Sequence, residues 1–369
     1  MRHGWVCGLA VASALAGSAA AAEPFDIPAR DGYILHGQVD RPAEGGREVL
    51  VLMVPGSGPF NRDVAFGNSG TDDDKLFKVL AARVTTRGVA SLRFDVRGVG
   101  YGDRATDRPA MALRTTTSSR DDLADLYAWA RKPEGGGARC VILFGHSEGL
   151  AHIGRLADSG APAPLAVLAM GGLLESPQSV MRWQLAGRNV QAIRAMDADH
   201  DGRTTNAEIQ AGFANSIGSA MLPLSAIINP NGGWGEPELT AQTAAEEAFY
   251  EQAKALALSQ ADAAPYPDAA TGWNSWQWWK SWFTDDRPVA QALAGWNVPV
   301  RVHYGDRDSQ TDAPRQIAAG KAALGDRFSY VVHPGVGHGL GPNVTVGPML
   351  PALADQLADD LAAAAARCR

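Results

Sequence analysis

The stretch VILFGHSEGLA, Val141 to Ala151, constrains the fold of this chain more than any other. A continuous apolar run enters Gly145, a helix-compatible run leaves Gly149, and His146, Ser147 and Glu148 are squeezed between them. An apolar run bounded in this way reads as a strand buried on both faces. A G-x-S-x-G turn from such a strand into a helix is sharp, and the crowded backbone leaves room only for glycine on either side of the serine. The turn holds the Ser147 hydroxyl at the carboxyl edge of a sheet.

The rest of the chain supplies that sheet. VLVLMVP (Val49 to Pro55), VASLRFD ending at Asp95, PLAVLAMGG (Pro164 to Gly172), VPVRVHYG (Val298 to Gly305) and FSYVVH (Phe328 to His333) are further short strand candidates, and GYILHGQVD alternates as a half-buried strand does. Helical stretches over about 75–87, 121–131 and 347–367 separate them, a pattern that predicts an α/β fold with a mostly parallel central sheet and helices on both faces. Between 174 and 296 the pattern breaks. Helical segments, the interruption NPNGGWGEPE, an Ala-rich helix over about 244–259 and the Trp-rich WNSWQWWKSWF replace it. The core is therefore read as 23–173 and 297–369, with a helical insertion at 174–296.

A serine hydroxyl attacks only when a base removes its proton, and in this setting an orienting carboxylate and a histidine follow the serine along the chain. Asp308, three residues past Gly305 in VHYGDRDSQTD, is the favoured acid, with Asp306 and Asp312 as neighbouring competitors. His338, in the glycine-rich turn GVGHG, is the favoured base; His333 stands closer to its strand and reads as structural. An oxyanion needs backbone N–H donors fixed in advance. One is expected from Glu148, directly after the nucleophile, and the other from Ser57 in VPGSGPFNRD, where Gly56 and Gly58 permit the bend.

Taken in order, VPGSGPFNRD, LRFDVRGVGYGD, GHSEG, YGDRD and GVGHG resemble the α/β-hydrolase superfamily, and the first two resemble its serine-aminopeptidase-like and carboxylesterase branch. The resemblance extends over nearly the whole chain except the middle of the insertion, whose ends ESPQSVMRWQL and SWFTDDRPVAQALAGWNVPV look like the ends of that branch's lid. It implies the α/β-hydrolase fold with a helical lid, a triad of Ser147, His338 and Asp308, no organic cofactor, and a small-molecule ester or amide as substrate. One departure is Pro55, where many relatives carry histidine. The expectation is a serine hydrolase that cleaves carboxylic esters of short to medium acyl length through an acyl-enzyme. An aminopeptidase is the alternative and would need an acidic lid residue; Glu246, Glu247 and Glu251 are available. From another class, a non-catalytic calcium-dependent binding protein on a hydrolase scaffold is set against it.

A second departure is MDADHDGRTTNAEI, Met196 to Ile209. Asp197, Asp199 and Asp201 fill positions 1, 3 and 5 of a twelve-residue calcium loop spanning 197–208. Gly202 fills the sharp turn at 6, Arg203 offers its carbonyl at 7, Thr205 sits at 9, and Glu208 is the bidentate ligand at 12. Position 8 is Thr204 rather than the usual aliphatic residue, and the sequence offers no second loop to pair with it. A structural Ca2+ of modest affinity is the cofactor expected. Tryptophans 273, 276, 279 and 282, three residues apart, form one drifting stripe, read either as a substrate wall or as packing.

Residues 1–22, with Arg2, an Ala/Gly-rich apolar run and small residues before Glu23, have the three-part form of a secretory signal peptide, so a periplasmic or secreted protein with no lasting membrane anchor is expected. Cys140 and Cys368 then remain, and permit one disulfide. The net charge of −7, with no clustered basic face, excludes nucleic acid as the natural partner.

Overall fold

The computed structural model describes residues 21–43, 46, 48–65, 71–214, 224–342 and 347–368; all but the last two residues of the expected signal peptide lie outside them. Eight strands form one sheet: β1 (Ala21–Pro28), β2 (Ile34–Arg41), β3 (Val49–Val54), β4 (Ala90–Phe94), β5 (Cys140–His146), β6 (Ala166–Met170), β7 (Val300–Gly305) and β8 (Phe328–His333). Their spatial order is β1-β2-β4-β3-β5-β6-β7-β8. The β1–β2 and β2–β4 pairings are antiparallel, and the five that follow, from β4–β3 to β7–β8, are parallel. The chain steps from β3 out to β4 and then returns across to β5, so the carboxyl ends of β3 and β5 flank the crevice where an open α/β sheet binds its ligands.

The helices are α1 (Leu76–Thr85), α2 (Thr116–Arg131), α3 (Glu148–Asp158), α4 (Pro177–Ala186), α5 (Arg188–Ala195), α6 (Asn206–Ala214), α7 (Glu236–Ser259), α8 (Trp276–Thr284), α9 (Val289–Ala294), α10 (Ala313–Leu324) and α11 (Pro351–Ala365), with two shorter turns at Arg108–Ala112 and Leu224–Ile227. Side chains of a strand alternate between faces, and β3 shows the division directly. Val51 and Met53 join Leu80 of α1 and Leu357 of α11 in one apolar layer, whereas Leu50, Leu52 and Val54 join Leu126 of α2 and Ile153 of α3 in the other. Burial on both faces explains why the central strands read as unbroken apolar runs.

Two helix starts differ from expectation, and one strand was not expected at all. Strand β1 pairs residue for residue with β2 and starts at Ala21, two residues inside the expected leader; Asp26 and its two prolines gave no apolar alternation to read. Helix α2 starts at Thr116 rather than near 121, because the Thr115 hydroxyl accepts the Ser118 N–H while Ser118 reciprocates in a capping box. Helix α7 starts at Glu236, with Pro237 in its first turn where the missing N–H costs nothing. Among the described residues, no helix is long and apolar enough to cross a membrane.

The permitted disulfide is present: Cys140, at the start of β5, is bonded to Cys368 just past α11, with Cα atoms 6.0 Å apart at a sequence separation of 228. A cross-link closing so long a loop restricts the unfolded chain strongly. Cys368→Ser should lower the unfolding free energy by about 2–4 kcal/mol in denaturant titration; an unchanged midpoint and slope would show that the bridge contributes nothing.

Candidate active site

Ser147 has φ 55° and ψ −125°, a conformation that a residue with a β-carbon seldom adopts. Its neighbours impose it. A β-carbon on Gly149 would stand 2.2 Å from the Val54 carbonyl oxygen, and one on Gly145 would stand 2.8 Å from the Leu150 nitrogen. The Ser147 N–H donates to the Met170 carbonyl at the end of β6 (3.1 Å), and α3 begins at the next residue. The Glu148 amide therefore lies in the first turn of a helix, where N–H groups have no partner within the helix. Strain of this kind clusters at functional sites because the fold around it over-determines the geometry.

Asp308 and His338 come from the loops after β7 and β8. The Asp308 Oδ2 lies 2.8 Å from His338 Nδ1. Both residues are buried, and Asp308 also accepts the amides of Gln310 (2.7 Å) and Thr311 (2.9 Å) and the Thr311 hydroxyl (2.6 Å). Four donors thus fix one carboxylate, and Thr311 is a contributor that the sequence reading missed. Gly171, at φ 55°, makes room for the pair: a β-carbon there would stand 2.7 Å from the His338 ring and 3.3 Å from Asp308 Oδ2. The competitors are occupied elsewhere. Asp306 accepts the Gly335 amide, Asp312 accepts from Gln191, and His333 lies 3.0 Å from His303 in a stacked pair.

Ser147 and His338 share a cavity of about 300 Å³ with Ser57, Leu173, Met181, Leu185, Trp278, Trp279, Trp282 and Thr311. The segment between β6 and β7 thus supplies much of the wall. Of the expected tryptophan stripe, Trp279 and Trp282 line the cavity, whereas Trp273 and Trp276 pack edge-on against Tyr266. Trp278, off the stripe, lines it too, and its indole N–H donates to Glu148 Oε1 (2.8 Å). The Ser57 hydroxyl donates to Glu148 Oε2 (2.6 Å), so the two expected oxyanion donors belong to residues in direct contact. Of the acidic candidates on α7, Glu246 accepts from Asn189 and Gln242, Glu247 pairs with Arg182, and Glu251 is exposed; among the described residues, no carboxylate lines the cavity.

The calcium-like loop lies between α5 and α6. Carboxylate oxygens of Asp197, Asp199 and Glu208 come within 4.8 Å of one another, while Asp201 Oδ1 accepts the Arg203 amide and Thr205 donates to Glu208 through both its amide and hydroxyl. Asp197 Oδ1 is shielded from solvent and has no hydrogen-bond partner among the described residues. The helical segment before the loop is divided at Gly187 into α4 and α5.

The structure also corrects the expectation that the loop has nothing to pair with. Thr204 and Thr205 form a two-residue antiparallel ladder with Trp234 and Gly233, inside NPNGGWGEPE. Glu238 there accepts the amide of Gly235 three residues back, as Glu208 accepts that of Thr205. The sequence did not announce this pairing, because asparagines and glycines stand where acidic residues would mark a second loop. Thr204 suits its buried position because its hydroxyl returns to the Ile193 carbonyl (3.0 Å).

The chain resembles solved structures in fold. DcsB in complex with its substrate analogue matches at a TM-score of 0.50 and 16% identity, over 95% of this chain and 100% of that one. The Pyrococcus furiosus esterase Pf2001 matches at 0.49 and 12%, over 95% and 92%, and Est1E from Butyrivibrio proteoclasticus with ferulic acid bound at 0.48 and 13%, over 93% and 100%. No protein-family model and no curated protein sequence matches the chain. Strand order, parallel sheet and surrounding helices together define an α/β-hydrolase fold.

Two histidines near Ser147 in sequence are held neutral. Burial pushes His146 well below its usual pKa, aided by the nearby His338, and burial pushes His152 down to about 4 against the opposing pull of Glu148. Between the unfolded value near 6.5 and these lower values, only the unfolded chain takes up the protons. Unfolding free energy should therefore fall as pH drops from about 6.5 toward 4, with less loss in a His152→Gln variant. A flat stability profile over that window would contradict the assignment.

Proposed function

We propose that the protein is a serine hydrolase of carboxylic esters. The observation that carries this reading is Ser147 in its forced turn, opening on the same cavity as a His338 held 2.8 Å from the buried Asp308. Ser147 Oγ attacks the ester carbonyl carbon as His338 Nε2 takes the hydroxyl proton, and Asp308 orients and stabilises the resulting imidazolium. The amides of Ser57 and Glu148 receive the oxyanion. His338 then returns the proton to the departing alcohol, and water, deprotonated by the same histidine, releases the acid. Esters are favoured over peptides with a free amine because no carboxylate lines the described cavity to grip an ammonium group. The leader-like residues 1–22 and the Cys140–Cys368 bridge support export to an oxidising compartment.

Hydrolysis of a short-chain p-nitrophenyl ester should fall by about 10³-fold or more in Ser147→Ala. A fluorophosphonate probe should label wild type at Ser147. Equal inactivity of both proteins on a range of esters, with no labelling, would favour a binding protein on this scaffold.

The loop at 197–208 is proposed to hold a structural Ca2+. Asp197, Asp199, Asp201, Thr205 and Glu208 would supply side-chain oxygens and Arg203 its carbonyl. The unpartnered buried oxygen of Asp197 and the convergence of three carboxylates fit a cation there. The ion would draw α5 and α6 together and take no part in the chemistry. At a free concentration ten times Kd, calcium should add about 1.4 kcal/mol of stability, so chelator should lower Tm by a few degrees in wild type and not in Asp197→Asn. Identical melting with and without chelator would remove the ion from this account.

A further inference from the structure

The Glu148 side chain sits one residue from the nucleophile, is 1% exposed, and plays no part in the proton transfers above. Its two carboxylate oxygens take partners from two different elements. Oε2 accepts the Ser57 hydroxyl, from the turn after β3, and Oε1 accepts the Trp278 indole N–H, from α8 in the cavity wall. A bare carboxylate so close to a developing oxyanion would oppose it, because charges interact strongly in a dry interior. Arg114 supplies the compensating charge. It is buried, and although burial lowers its pKa to about 10, the nearby Glu148 acts in the opposite direction and the group is a cation at neutral pH. Its guanidinium donates to the Gly58 carbonyl, in the same turn as Ser57, and to Asn274, just before α8. Charge and countercharge therefore each link the oxyanion turn to the segment that begins α8. The neighbouring His152, 3.7 Å from Oε1, adds no second positive charge at neutral pH.

We infer that Glu148 is a positioning residue. Its backbone amide serves as one oxyanion donor, while its side chain fixes the Ser57 turn that carries the other donor and ties both to the Trp278 wall of the acyl pocket. The inference rests on the proposed esterase reading and deepens it. It makes the oxyanion site sensitive to how the acyl group seats against Trp278, so selectivity among acyl groups should be expressed in kcat.

The test is steady-state hydrolysis of p-nitrophenyl acetate, butyrate and benzoate by wild type, Ser147→Ala, Ser57→Ala, Trp278→Phe and Glu148→Gln. The rate of fluorophosphonate labelling is measured alongside, since the probe's P=O oxygen occupies the oxyanion position. Ser57→Ala keeps the backbone amide and Trp278→Phe keeps an aromatic wall, so both remain informative if Glu148→Gln folds poorly. Each should lower kcat on the order of 10-fold, with KM within about threefold, and slow labelling in parallel. Trp278→Phe should also change the ratio of kcat for benzoate over acetate. A loss of Tm in Ser57→Ala and Trp278→Phe with kcat and labelling rate unchanged would reduce Glu148 to packing and overturn the inference, while leaving the esterase reading intact. Wild type no faster than Ser147→Ala on all three esters, and unlabelled, would overturn both together.

Discussion

The left-handed backbone at Ser147 is the constraint on which the rest depends. A residue with a β-carbon holds that conformation at a cost of about 1–3 kcal/mol, and it persists because Gly145 and Gly149 let β3, β5 and α3 approach until no side chain fits between them. The same contact sets the start of α3 and so aims the Glu148 amide. Gly56, in the turn after β3, comes close enough that a β-carbon on it would stand 2.8 Å from that of Ser147. Ser147, the Glu148 amide and the turn after β3 are thus placed by one close approach of backbones.

A second cluster is organised around Asp308. Its carboxylate is saturated by two amides, one hydroxyl and one imidazole, and Gly171 at the end of β6 clears the space that the imidazole needs. A saturated carboxylate has little freedom to rotate, so the imidazole inherits its orientation from the loop after β7. Helix α5 reinforces that loop from outside: Arg188 donates to the Ser309 carbonyl and Gln191 to Asp312. The helix that ends at the calcium-like loop is the same helix that braces the loop carrying Asp308.

Much of this was legible in the sequence because it depends on local rules. Buried parallel strands must be apolar runs and the turn at Ser147 must be flanked by glycine, and the contact between Asp308 and His338 joins the two loops after strands that the sequence singled out. What escaped depends on the exact fold of a turn or on contacts between distant segments. Thr311 as a donor to Asp308 follows from the fold of one turn. Trp278 as the partner of Glu148 follows from the packing of α8 across 130 residues of sequence. The stripe of four tryptophans, open between substrate wall and packing, divides between them: Trp279 and Trp282 line the cavity, whereas Trp273 precedes the helix and packs with Trp276 on Tyr266. The ladder partner of Thr204 was missed because Gly233 and Trp234 carry no alternation long enough to register as a strand.

Strand β5 ends at one side in the bridge from Cys140 to the C-terminal helix and at the other in the turn at Ser147. Seven residues are thereby clamped at both ends, one covalently and one sterically, with a strand hydrogen-bonded along each flank. Such a strand cannot slide along its own axis, and it is the fixed reference line from which the site is measured out. Any breathing that admits a molecule to the cavity must then come from the other wall, where α4 and α8 belong to a segment that returns to the sheet only at β6 and β7.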